Sequence, residues 1–385
     1  MATVGIGWQI GVPSGWGTYG LNLAFELARS GHIPEIFFTV PRPTLTEHQS
    51  QVLVPYLKRQ PANHAAFRAG PLHVPGPMLH ALGDKLEFPD QLRGLSGDSE
   101  FGMVFFESAV APRASLDLAR RFKAIITGST WNAEVLRSQG VAMVHNIFQG
   151  VDLDLFSPGP RQGRFDGRFA VFSGGKLEYR KGQDLVVAAF KRFHARRPDS
   201  VLVTAWHNPW PQAARSLSVS PHVAAAPDVD GSGRLDVAGW LSANGIPDRA
   251  HVDLGPLGNL ATAEHLREVD VALLPSRCEG GTNLVAMECM ATGIPVILSR
   301  NTGHRDLIAT GNCYPLDVQI PIGAVTRRPD LEGWGESSIE EMVAALDQAY
   351  DDAEGRRARG VAAAAFMASW AWPGQIRKLM DIILQ

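Results

Sequence analysis

Cysteine is scarce in this 385-residue sequence: there are three, Cys278, Cys289 and Cys313. Their number is odd and their spacing fits no metal pattern, which excludes a disulfide framework and points to a reducing, cytoplasmic setting. No run approaches the roughly 18 apolar residues needed to span a bilayer, and no charged leader with an apolar core and cleavage site opens the chain. Excess charge is also lacking. Thirty-six Lys and Arg stand against 39 Asp and Glu, a net charge of −3, which argues against a nucleic-acid partner while leaving peripheral contact with an inner membrane face open. Short-period repeats, low-complexity segments, an HExxH motif and Cys/His clusters are absent. What remains is an ordinary globular composition, 45% hydrophobic and 19% charged, on a chain long enough for two domains.

The most informative stretch runs from Asp270 to Arg300. Val271–Pro275 is an apolar run of strand length, and Ser276–Thr282 breaks it. Leu284, Met287 and Ala291 then recur at helical spacing, Gly293 stops the helix, and Ile294–Leu298 supplies a second strand. This is a βαβ unit with Gly280 and Gly281 just ahead of its helix, where free N–H groups would face an anion. Glu279 and Glu288 bracket that anion site. Carboxylates suit hydroxyls rather than phosphates, so the pair predicts a ligand carrying both, such as a sugar nucleotide.

The stretch resembles the donor signature of the retaining, nucleotide-sugar-dependent glycosyltransferases of family 4, whose GT-B fold places two Rossmann-like domains face to face across a cleft. Ala291-Thr292-Gly293-Ile294-Pro295-Val296-Ile297 fits the end of that signature. Glu279 and Glu288 are one residue further apart than the family's glutamate pair, and the extra residue is expected within Gly280-Gly281-Thr282. The resemblance extends over most of the chain, weakly over 43–101 and 206–250. Gly150-Val151-Asp152 through Phe156-Ser157-Pro158 resembles the family's interdomain link, which divides the chain into an acceptor-side domain, 1–157, and a donor domain, 158–372. The final helix, 373–385, is expected to pack back on the first domain.

Gly15-Trp16-Gly17-Thr18-Tyr19-Gly20 spells the dinucleotide fingerprint, but the strand expected at Ile36–Val40 runs on into Pro41-Arg42 where a ribose-binding acid belongs. The loop therefore reads as a phosphate- or acceptor-facing glycine loop or as a structural turn, with Gly15, Trp16 and Gly17 as donor-site candidates. Glu107 ends a strand expected at Gly102–Phe106; it orients the acceptor, acts as a base, or caps a helix near Ser108. In the second domain, Gly174-Gly175-Lys176 to Lys181-Gly182 follows a buried strand, and its cations Lys176, Arg180 and Lys181 suit a diphosphate. The resemblance aligns Lys176 with the family's arginine and Lys181 with its lysine. It also brings the backbone of Gly258 and Asn259 near the nucleobase. The excursion 206–236 reads as an insertion with short elements or as a flap.

The resemblance implies transfer of a sugar from a nucleoside diphosphate to an acceptor hydroxyl with retained configuration, in glycan or glycoconjugate synthesis. The acceptor would be a glycan, a lipid-linked group, a protein or a small molecule. Lys181 and Glu279 carry the catalytic assignments, with Glu107 as a weaker third. Lys176, Arg180 and the N–H groups of Thr282, Asn283 and Leu284 stabilise the leaving diphosphate. Glu288 holds the ribose hydroxyls and Glu279 those of the sugar, so loss of Glu279 should spare nucleoside diphosphate binding. Asp152-Leu153-Asp154 and Asp228-Val229-Asp230 spell DxD away from the phosphate loops, so no metal and no cofactor is expected. His32, His73, His80 and His304 are open candidates for a base. A GT-B epimerase or phosphorylase, a nicotinamide enzyme and a non-catalytic sugar-nucleotide sensor are the alternatives.

Overall fold

The computed structural model describes residues 1–12, 14–41, 45–206 and 208–385. Pro13 of the glycine loop, Arg42 past the second strand and residue 207 of the excursion lie outside the described residues. The chain divides into two compact units, Met1–Gly150 with Trp370–Gln385, and Val151–Ser369. The division falls ahead of the expected break after Ser157. Arg267 explains this, since its Nε donates to the Ser157 carbonyl (3.0 Å) and its Nη2 to that of Leu155 (2.9 Å), fastening the segment to the second unit. The C-terminal piece of the first unit starts at Trp370, whose ring stacks on Phe148 at 4.4 Å.

The first unit contains β1 (Thr3–Ile6), α1 (Gly15–Arg29), β2 (Ile33–Ile36), α2 (Glu47–Ala69), β3 (Leu72–Ala81), β4 (Leu95–Val104), α3 (Arg113–Ala119), β5 (Ala124–Thr127), α4 (Thr130–Ser138) and β6 (Val144–Asn146). Its sheet is parallel throughout, in the order β2-β1-β3-β4-β5-β6. Strands covered on both faces need apolar residues at every position, and all four residues of β5 are buried. Ser14 caps α1 by accepting from the Gly17 N–H, and Tyr19, Leu23, Ala24 and Leu27 turn inward.

The second strand occupies Ile33–Ile36, not Ile36–Val40. Pairing starts as soon as the turn at Gly31 is complete, with Ile33 N donating to Ala2 O at 2.9 Å. Further on, the Phe37 carbonyl is bonded by the side chains of Gln60 (3.1 Å) and His64 (3.0 Å), so the ladder stops.

The second unit contains β7 (Phe169–Gly174), α5 (Gln183–His194), β8 (Ser200–Ala205), α6 (Val237–Ala243), β9 (His251–Asp253), α7 (Asn259–Leu266), β10 (Val271–Leu274), α8 (Leu284–Ala291), β11 (Val296–Ser299) and β12 (Tyr314–Leu316). The hairpin of β13 (Gln319–Pro321) and β14 (Gly335–Ser337) follows, with α9 (Ile322–Thr326) inside it, then α10 (Ile339–Asp351) and α11 (Ala353–Met367). A last helix, α12 (Trp372–Ile383), belongs to the first unit.

The six-stranded sheet of the second unit is parallel in the order β12-β11-β10-β7-β8-β9. Its first and fourth strands, β7 and β10, lie side by side, so the loops leaving their C-terminal ends diverge over a crevice. The excursion after Trp206 is built into this unit. Ala214 and Leu217 of a short helical turn are buried in its core, and Trp206 Nε1 donates to Ser173 Oγ at 3.2 Å.

Candidate functional site

The loop leaving β7 ends in a tight turn, Tyr179–Lys181, closed by Gly182 at φ 72°. A Cβ on Gly182 would stand 2.3 Å from the Pro275 carbonyl oxygen at the end of β10, so only glycine lets the two loops touch. The contact puts Lys181 beside Glu279. Lys181 Nζ lies 2.8 Å from each Glu279 carboxylate oxygen, Arg180 Nη1 donates to Oε2 (3.1 Å), and Ser276 Oγ donates to Oε1 (2.6 Å). Burial works to raise the Glu279 pKa, but Lys181, Arg180 and His304 together bring it down to about 2. A carboxylate offers about four lone-pair positions, and these contacts fill them. The sugar contact expected of Glu279 would require one of those donors to move.

Beneath this cluster lies Arg277, fully buried, whose role sequence reasoning missed. Its Nη1 and Nη2 grip Asp184 on α5 (2.7 and 2.6 Å), Nε and Nη2 reach Glu336 on β14 (2.9 and 2.7 Å), and Nη1 also donates to the Tyr179 carbonyl (2.6 Å). The Tyr179 ring covers the guanidinium at 3.8 Å. Arg277 therefore ties the loop bearing Lys181 to the loop bearing Glu279. A charged residue standing alone between an apolar strand and a glycine loop was the available signal; its partners lie too far along the chain to be read.

Between Glu279 and Glu288 the backbone takes its one left-handed conformation at Asn283, and not at the glycines. Gly280 and Gly281 have no positive φ, whereas Asn283, the N-cap of α8, sits at φ 67°. Asn tolerates that region better than most residues. Its amide is anchored, with Nδ2 lying 3.0 Å from His304 Nε2. Ser299 Oγ lies 3.0 Å from His304 Nδ1 and itself donates to the Ser276 carbonyl (2.6 Å). This network assigns the proton to Nδ1 and the lone pair to Nε2. Burial lowers the His304 pKa to about 4, so this histidine is a neutral brace with both nitrogens engaged.

No side chain caps the first turn of α8, leaving the N–H groups beginning at Leu284 available to an anion. Thr282 is buried with its hydroxyl on Met287 Sδ (3.1 Å). Glu288, half-buried on α8, has no cationic partner for its carboxylate among the described residues, and loss of solvation pushes it up to about 8.

The other predicted residues are placed as follows. Lys176 lies with its ammonium 4.7 Å from the Trp210 ring centre, and Gly258 and Asn259 form the N-terminus of α7. In the first unit, Gly15, Trp16 and Gly17 form the opening turn of α1, and a Cβ on Gly17 would stand 2.1 Å from the Val12 carbonyl oxygen. Trp16 packs edge-on against Phe105 at 4.8 Å.

Glu107 lies past the end of β4 with its N–H held by Asp84. The helix it was expected to cap begins only at Arg113. Of the other histidines, His32 accepts from the Ala2 N–H (3.2 Å) and His73 is exposed beside Asp98 (2.9 Å). His80 is buried with neither ring nitrogen hydrogen-bonded, and burial lowers its pKa to about 4. The Asp152 carboxylate accepts from the N–H groups of Asp154 and Leu155, and that of Asp230 from those of Ser232 and Arg234. Both serve local turns.

Residues 259–379, which include the Glu279 loop and α8, match the family model described as "Family 4 Glycosyltransferase in conflict systems". The whole fold has the same architecture as sucrose-phosphate synthase from Thermosynechococcus elongatus, with a TM-score of 0.67 at 17% identity over 99% of this chain and 98% of that one. The fold is GT-B, and the family 4 likeness falls on residues 259–379.

Another solved structure similar to this chain is the Anabaena protein HepE in complex with UDP and glucose, with a TM-score of 0.65 at 12% identity, covering 99% and 98% of the two chains. Among curated proteins it is similar to a GDP-mannose-dependent alpha-(1-6)-phosphatidylinositol monomannoside mannosyltransferase of Mycolicibacterium smegmatis. The two are 25% identical over 203 residues, 48% of this chain and 46% of the relative. It is also similar to a D-inositol 3-phosphate glycosyltransferase of an Arthrobacter species, 26% identical over 229 residues, 58% of this chain and 45% of the relative. The chain thus matches about half the length of these relatives.

Proposed function

We propose that this protein is a retaining family 4 glycosyltransferase that moves a sugar from a nucleoside-diphosphate sugar to an acceptor hydroxyl without a divalent metal. The observation that carries this reading is the gathering of Lys181 and Arg180 by the ionised, buried Glu279 in the loops that leave β7 and β10, together with the uncapped start of α8. When the bond between the anomeric carbon and the diphosphate breaks, the leaving group gains about one negative charge. Two oriented cations and free helix N–H groups stabilise that charge, and because they are already in place they need little rearrangement as it forms.

In this reading Glu279 acts through the cations it holds, and Glu288 receives the ribose hydroxyls. The names of the relatives support a sugar-nucleotide donor, since one is GDP-mannose-dependent and HepE was crystallised with UDP and glucose. They also suggest an inositol-containing or lipid-linked acceptor. No described helix is long and apolar enough to cross a membrane, and we place the reaction in the cytoplasm with peripheral access to such an acceptor.

A thermal-shift panel of UDP-, GDP-, ADP- and TDP-sugars tests the donor assignment, because a ligand at 100 times its dissociation constant stabilises by about 2.7 kcal/mol. One nucleotide class should raise the melting temperature, and Lys181→Ala should retain the fold yet lose roughly 100-fold or more in transfer rate. Turnover near normal in Lys181→Ala would overturn the assignment.

A further inference from the structure

We propose that the Val151–Ser369 unit carries a second anion site, on the opposite edge of its sheet from Lys181 and Glu279, that takes a small phosphorylated ligand. A cavity of about 410 Å³ opens there, lined by Arg161, Arg267, Arg356 and Arg357 together with Asp270 and backbone around Gly293. Asp270 immediately precedes β10 and Pro295 precedes β11, so the cavity lies at the N-terminal ends of these strands. The loops of the donor site leave the C-terminal ends. Four residues of strand at about 3.3 Å each separate the two edges.

The charges around this cavity do not balance. Four guanidinium groups face a single lining carboxylate, Asp270, which already accepts from Arg161 Nη1 at 3.0 Å and from the Ala170 N–H at 2.8 Å. Arg161 is further held by the Val269 carbonyl (2.8 Å), and Arg267 by the carbonyls of Leu155 and Ser157. Arg356 donates to the Ala349 carbonyl, lies over the Phe169 ring at 5.2 Å and shares Asp270 with Arg161, its Nη2 standing 3.7 Å from Oδ1. Carbonyls and a ring fix the direction of a guanidinium without cancelling its charge. Arg357 is exposed and has no ion-pair partner among the described residues.

Three positive charges more than the lining carboxylate can neutralise are thus held around one opening, most of them already oriented. A phosphate matches this arrangement in charge, and its oxygens suit the paired N–H groups of arginine. The cavity volume falls within the range of small-ligand sites, and Val269, Ile294 and Val361 in its wall suit an organic group attached to the phosphate.

Titration calorimetry with inorganic phosphate and with ribose 5-phosphate tests the site on the intact protein, in wild type, Lys181→Ala, Arg357→Ala and Arg357→Lys. Lys181→Ala should bind ribose 5-phosphate as wild type does. Arg357→Ala should melt at the wild-type temperature without ligand yet bind about tenfold or more weakly, and Arg357→Lys should recover part of the loss. Arg357 suits the test because its removal breaks no internal ion pair. Unchanged binding in Arg357→Ala would overturn the proposal, as would wild-type binding only above about 10 mM, the behaviour of an adventitious anion. The proposal does not rest on the donor assignment: failure of donor binding would appear in the Lys181 variant, failure of this site in the Arg357 variants.

Discussion

Glu279 and Glu288 flank the same loop, yet their surroundings drive them to opposite charge states. Glu279, beside two cations, is held at about 2, so the stability it contributes is present above the ordinary carboxylate range and is lost as pH falls through about 2. Glu288, half-buried without a counter-charge, is pushed up to about 8 by the loss of solvation. Its contribution is complete below the ordinary carboxylate value of 4.5 and is lost as pH rises through about 8. The Glu288→Gln protein should therefore gain melting temperature relative to wild type as pH is raised from 6 to 9. Equal curves across that window would show that Glu288 is not held protonated.

Binding separates the two residues in another way. Glu288→Gln should weaken donor and free nucleoside diphosphate alike. The sequence expectation that Glu279→Gln spares nucleoside diphosphate changes with the geometry, because that substitution loosens Lys181 and Arg180, which would meet the diphosphate itself. Both binding and transfer should fall by roughly 10- to 150-fold, the equivalent of a lost charged hydrogen bond. Calorimetry showing intact nucleoside diphosphate affinity in Glu279→Gln would restore the direct sugar contact.

Among the elements, the turn at Tyr179–Lys181, α5 and the β13–β14 hairpin are held together by one side chain, Arg277. Replacement by Met would leave Asp184 and Glu336 without their main cation, a change that costs about 3–5 kcal/mol when a buried pair is broken. Denaturant unfolding should show that loss. A variant as stable as wild type would mean that water or rearrangement compensates both carboxylates.

The elements also show what could be read in advance. The strand-loop-helix-strand from Val271 to Ser299 was legible because each of its elements buries an apolar pattern over a short span. The first half of β4, Leu95 to Glu100, was not: it reads LSGDSE, and it is a strand only because it pairs with β3, itself interrupted by Pro75 and Gly76. Nor could α2 be followed beyond Arg59. It runs to Ala69 with Pro55 and Pro61 inside it, and only Leu53 and Gln60 are buried, which leaves no apolar stripe to trace. At the site, the Glu279 loop and the Lys181 turn were each recognisable, but their ion pair joins residues 98 apart and depends on sheet order. The positive φ of Asn283 was hidden for a related reason, since its side chain is held by His304, 21 residues further on.

For the molecule as a whole, the proposed chemistry places its positive charge on protein groups, so transfer should continue in excess EDTA. Activity abolished by EDTA and restored by magnesium or manganese would refute that.

The first unit is discontinuous, with Met1–Gly150 completed by Trp370–Gln385. Within it, α12 buries Trp372, Ile376, Leu379 and Ile383, and the Trp372 ring meets Tyr19 of α1 edge-on at 5.5 Å. During translation, residues 1–150 leave the ribosome first, but α12 follows only after the whole second unit has been made. At about 5–20 residues per second, that delay lasts roughly 10–40 s. For that time the nascent chain exposes the apolar surface that α12 will cover, a surface open to chaperones during synthesis and closed to them afterwards.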